Sequence, residues 1–177
     1  APAAPSAGAP AKSPGSAAAP SGPAATHPAA AGPGQPEGHV ASTSTRQQAA
    51  AILHDNDAYY QTEFNAGVAA LDGGSQAGAT AFHAWSLLAA ADAKPGQDAF
   101  KQADTLFAGS TVPPSLNSWQ SANGSMSADV AKLASDGQGV GGPNDAQARQ
   151  HVQADVQQMA KDAAAAEQDA TNVSAGS

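Results

Sequence analysis

The sequence predicts an all-α protein, an antiparallel up-down-up-down four-helix bundle preceded by an Ala/Pro/Gly-rich arm. Three observations lead there. Composition changes near residue 42. Beyond it, apolar residues recur at steps of three and four almost to the C-terminus. No segment alternates apolar and polar residues with β-branched enrichment, so no sheet is expected.

The arm comes first. Nine of the 13 prolines fall between Pro2 and Pro36, and through Ala41 the only branched aliphatic is Val40. Such a segment buries too little apolar surface to offset its ordering entropy. Proline fixes φ and favours extended stretches, so residues 1–41 are expected to form a disordered, semi-stiff tether that packs on nothing. Residues 42–174 form the bundle domain.

The first helix is expected from about Thr45 to Asp72, capped by Ser44 or Thr45, with Ala49, Leu53, Tyr60, Phe64, Val68 and Leu71 along one stripe. The second runs from about Ser75 to Phe107 and carries Phe82, Trp85, Leu88, Phe100 and Phe107. Pro95 lacks an N–H and disfavours helical geometry at Lys94, so a kink or break is expected there, and any internal site should open beside it. The third, from about Ser115 to Asp136, aligns Leu116, Trp119, Met126, Val130 and Leu133. After a glycine-rich turn at 137–142, the fourth starts at Pro143, a residue suited to the first helical position. It runs to about Asn172 with a heptad stripe of Val152, Val156, Met159, Ala163, Ala166, Ala170 and Val173. A rise of about 1.5 Å per residue places Tyr60, Phe64, Phe82 and Trp85 toward one end and Phe100, Phe107 and Trp119 toward the other, with Met126 and Met159 between.

Charge and composition exclude several classes. The net charge is −8, and Lys12 and Glu37 cancel within the arm, so the body carries all of it. An acidic body without a Lys/Arg cluster argues against nucleic acid or anionic lipid as partner. The absence of cysteine excludes disulfides, thiol catalysis and Cys-based metal sites. No apolar run approaches the length of about 20 residues that spans a bilayer. The start at Ala1-Pro2, with no Met or leader, reads as a trimmed product, and an Ala/Pro/Ser arm at that position suits an exported, surface-displayed bacterial protein with an anchor upstream.

Candidate chemistry is sparse. His54 with Asp57, and His151 with Asp155, have spacings that put each pair on one helix face. His83 and His151 fall at similar heights on helices 2 and 4, near Glu63, and could form a His/His/carboxylate site. Met159 with a histidine could ligate a haem. Glu-x-x-His motifs for a di-metal site are absent, as are phosphate-loop and nucleophile-elbow motifs. Asn56 interrupts the first stripe and, if buried, sets register. Asn123-Gly124-Ser125 and Asn172-Val173-Ser174 match the N-glycosylation pattern.

The candidate binding residues are Tyr60, Phe64, Trp85, His83 and His151, with no catalytic residue and no cofactor assigned. The expected function is a non-enzymatic, exported or surface-displayed helical binding or sensing module on a flexible tether, with a protein, a cell-wall component or a small ligand as partner. The alternative is a metal- or haem-handling four-helix bundle.

Overall fold

A computed structural model of the chain describes residues 38–72, 76–89 and 93–177. The described residues are mostly helical: α1 (Thr43–Asp72), α2 (Gln76–Ala89), α3 (Lys94–Leu106), α4 (Pro114–Asp136) and α5 (Asp145–Ala175), with a 3-10 turn at Gly137–Gly139. No helix among them is long and apolar enough to cross a membrane.

The helix α1 touches each of the other four. It starts where the Ser42 hydroxyl accepts the N–H of Thr45 at 3.1 Å, one of the donors that a helix start leaves without a partner. The cap is therefore Ser42, two residues ahead of the expected position. Ala49, Leu53, Tyr60, Phe64 and Leu71 are buried as the stripe predicts, but buried Asn56 and Asp57 interrupt it.

The second helix is broken near Pro95, one of the two outcomes expected there, into α2 and α3. Residues 90–92, between them, lie outside the described part. Pro95 does not kink a helix; it sits in the first turn of α3, where its missing N–H has no intrahelical partner to lose. Gly96 is buried, and a Cβ at Gly96 would lie 2.1 Å from Asn123 Oδ1.

Two further differences concern the ends of elements. His39–Val40 (β1) pairs in parallel with Ser110–Thr111 (β2), and Ala41 is buried in the core. The last residues assigned to the arm are thus docked; backbone pairing needs no bulky side chain, and Ala41 is small enough to fill the gap. The remainder of the arm, residues 1–37, lies outside the described part. A two-residue pair is too short for alternation to reveal. Pro143 lies ahead of α5 rather than in its first turn, and Asn144 precedes the helix.

The α4 stripe of Leu116, Trp119, Met126, Val130 and Leu133 is buried throughout. On α5 the first half of the stripe is rotated: Ala148 and Asp155 are buried and Val152 is half-buried, while Val156 is exposed. The core is rich in alanine and filled by Trp119, Phe64, Phe107, Leu53, Leu116, Met126 and Leu133. Each such bulky side chain contributes roughly 1.5–3 kcal/mol on full burial.

Candidate functional site

A cleft of about 480 Å³ lies where the end of α1 meets α2, the glycine turn and the start of α5. Leu71, Phe82 and Val140 supply apolar wall; His83, Gln138 and Arg149 supply the polar groups. The size falls within the range of roughly 300–1,000 Å³ typical of small-molecule sites. Among the described residues, the lining contains no hydroxyl, thiol, amine or carboxylate side chain.

The wall is built by close approach. Phe82 is buried against Gly137, where a Cβ would lie 2.2 Å from the Phe82 Cζ, so the turn can pass over the ring only as glycine. Further along, Gly141 adopts a φ of 81°. Its N–H donates to Asp145 Oδ1 at 2.6 Å, and the same carboxylate accepts Arg149 Nε at 3.0 and 3.1 Å. The Gly141 N–H, and then Arg149, hold the Asp145 carboxyl below its usual range. One carboxylate therefore fixes both the turn and the arginine at the cleft edge.

Of the five residues singled out from the sequence, His83 alone lines this cleft. Trp85 is half-buried on the same helix. Its indole N–H donates to the Glu63 carbonyl at 2.9 Å and its ring covers Gly67. Phe82 and Trp85 are in tilted contact, their centroids 5.2 Å apart. Tyr60 and Phe64 are buried in the core. Tyr60 lies beside Gly96, its hydroxyl 3.6 Å from where a Cβ there would sit, so it packs toward Asn123 rather than joining Phe82. His151 is exposed, with Nδ1 4.0 Å from Asp136 Oδ2. Asp155, its expected partner, instead forms an ion pair with Lys132. Leu71, Phe82, Val140 and Arg149 were not assigned to a site from the sequence. The glycine run was the available signal, but it reads equally as a plain turn.

Two buried polar groups lie elsewhere. Between α1 and α4, Asp57 accepts Trp119 Nε1 and Asn123 Nδ2, and Asn123 Nδ2 also donates to Asn56 Oδ1 at 2.7 Å. Burial pushes the Asp57 carboxyl up, against the Trp119 and Asn123 bonds that hold it down. Asn123 is 3% exposed with its amide engaged, so this glycosylation pattern is closed in the folded protein. Between α4 and α5, Asp129 faces Asp162 and Asp155, with Lys132 beside them. Burial and the Asp162 carboxylate raise Asp129 to about 7. Asp129 Oδ2 and Asp155 Oδ2 are buried without a hydrogen-bond partner among the described residues. No group of three or more His, Asp or Glu among the described residues could hold a metal ion, so His83, His151 and Glu63 do not assemble as the His/His/carboxylate arrangement requires.

No protein-family model, curated protein or solved structure matches this chain.

Proposed function

We propose that the protein is a non-enzymatic, exported or surface-displayed binding module that takes a small ligand in the cleft and stands on its N-terminal arm as a tether. The carrying observation is the place of the cleft. The chain enters the body through His39–Val40, just ahead of α1, and Leu71 lines the cleft near the other end of that helix. A helix of 30 residues spans about 45 Å. The cleft thus lies toward the opposite end of α1 from the strand pair by which the chain enters the folded body. Export rests on the Pro/Ala-rich arm, and the binding role on a cleft that mixes apolar and polar side chains and, among the described residues, holds no hydroxyl, thiol or carboxylate.

The bundle topology belongs to the same proposal. Along α4 the partners on α5 and the residues just after it fall in number as α4 advances: Ser115 with Ser177, Lys132 with Asp155, Asp136 with His151. On α1, Glu63 meets Trp85, while Leu71 shares the cleft with Phe82. Tyr60 lies by Gly96, and Val40 pairs with Thr111. These pairings support an antiparallel up-down-up-down bundle whose second leg is α2 and α3 in succession.

The uncharged fluorophore N-phenyl-1-naphthylamine tests the cleft. Its emission should rise saturably with the full chain. Ala79, an exposed residue of the lining, offers a way to fill the space. Ala79→Trp should abolish the signal without lowering the melting temperature. Equal binding to both proteins, or none to the native chain, overturns the proposal.

A further inference from the structure

Building on the cleft as a ligand site, we infer that its ligand is an amphipathic anion, a carboxylate carried on a compact apolar body. The chemistry of the lining divides in two. Leu71 and Phe82 are largely buried and, with Val140, offer a surface that can only reward apolar contact. Arg149 stands at the edge, the one permanently charged group of the lining among the described residues. A guanidinium has five N–H donors. Asp145 engages Nε alone, and the two terminal nitrogens make no hydrogen bond among the described residues. Their planar pair matches the two oxygens of a carboxylate. His83 adds a ring donor.

The setting sharpens the inference. The chain has 15 acidic and 7 basic residues, so its overall field favours cations. Among the described residues that line the cleft, Arg149 is the one permanent charge, and the Asp145 carboxylate stands beside it, bound to Gly141 and to Arg149 Nε. Asp145 does not cancel the site. Both members of that pair are substantially exposed, Asp145 at 40% and Arg149 at 50%, so water screens the Asp145 charge from a ligand, while its two hydrogen bonds to Nε orient the guanidinium.

Displacement of N-phenyl-1-naphthylamine from the full chain by octanoate, octanol, octylammonium and acetate provides the test. Octanoate should displace it at concentrations about tenfold lower than octanol, the ratio expected of one charge-assisted contact. Octylammonium should be weaker than octanol, and acetate should fail for want of an apolar body. Arg149→Gln should bring octanoate and octanol to parity while the fluorophore still binds. Lys161→Gln, which removes an equal charge at an exposed position outside the lining, should leave the octanoate preference intact. Parity of octanoate and octanol on the native chain, with both lost in Ala79→Trp, would sink the anion and leave the cleft standing. A preference for octylammonium would show that the overall field rules, with the same consequence. Failure of every probe, the fluorophore included, would remove the cleft itself.

Discussion

Trp119 donates its indole N–H to both carboxylate oxygens of Asp57, each at 3.1 Å, and the two residues are 0% and 3% exposed. The bond joins α1 to α4 inside the core, where neither group can turn to water instead. A buried carboxylate is costly unless hydrogen bonds compensate it. Trp119 and Asn123 supply those bonds.

Asp57→Ala should therefore leave the indole N–H without a partner and open a small void. A loss of about 2–3 kcal/mol is expected from urea unfolding at neutral pH. Asp57→Asn keeps an acceptor oxygen and sheds the buried charge, so its loss should stay below about 1 kcal/mol. Equal losses in the two variants would show that the hydrogen bond contributes nothing.

The helices were legible in the sequence because apolar spacing is sufficient to place them, and the α4 stripe from Leu116 to Leu133 lies where that spacing puts it. Polar residues were harder to place. On α5 the spacing selected Val156, yet the structure buries Asp155 and exposes Val156. The buried position follows the row 148, 152, 155 and 159, and Lys132 of α4 reaches Asp155 there. A pattern read from one helix cannot contain a partner supplied by another. The same holds for the cleft, whose lining comes from α1, α2, the glycine turn and α5. A break near Pro95 was legible, since α2 ends at Ala89 and α3 begins at Lys94; spacing could not separate a kink within one helix from a proline in the first turn of a new one.

The α4–α5 carboxylates should set the pH dependence of stability. Asp129 faces Asp162 and Asp155 on α5, with Lys132 on its own helix. Its carboxyl is raised to about 7, above the usual 3.8 of the unfolded chain. A raised carboxyl contributes stability that is full below the unfolded value and is lost as pH rises through the folded one. Stability should thus fall between about pH 4 and pH 7, and Asp129→Asn should make that fall shallower, the raised Asp57 and Asp155 carboxyls keeping the rest. Urea midpoints measured across this interval decide the matter. A native chain that gains stability from pH 4 to pH 7, or a variant that keeps the whole slope, would show that this carboxyl ionises without penalty.

Lys132 provides the only ion pair that Asp155 makes among the described residues. Asp155 is 1% exposed, whereas Lys132 is 55% exposed, so water screens the cation but not the carboxylate. Lys132→Ala should strand a buried charge and lose about 2 kcal/mol at neutral pH, below the full value of a buried pair. Combining it with Asp155→Leu should recover most of that loss. A double mutant no more stable than Lys132→Ala would mean that Asp155 is not the residue harmed by the lysine's removal.

Gly67 sets two effects of opposite sign against each other. In a helix interior, Gly→Ala ordinarily stabilises by about 1 kcal/mol through propensity. Here a Cβ would lie 2.5 Å from the Trp85 ring, whose N–H is tied to the Glu63 carbonyl at 2.9 Å. The ring is held at both places and can yield only by breaking that bond or displacing Phe82, the neighbour that walls the cleft. Overpacking of this kind costs roughly 1–3 kcal/mol and outweighs propensity. Gly67→Ala should therefore lower the melting temperature, shift the tryptophan emission and weaken binding of N-phenyl-1-naphthylamine. A more stable variant with unchanged emission would show that Trp85 swings aside freely and that α1 and α2 are not locked together beneath the cleft.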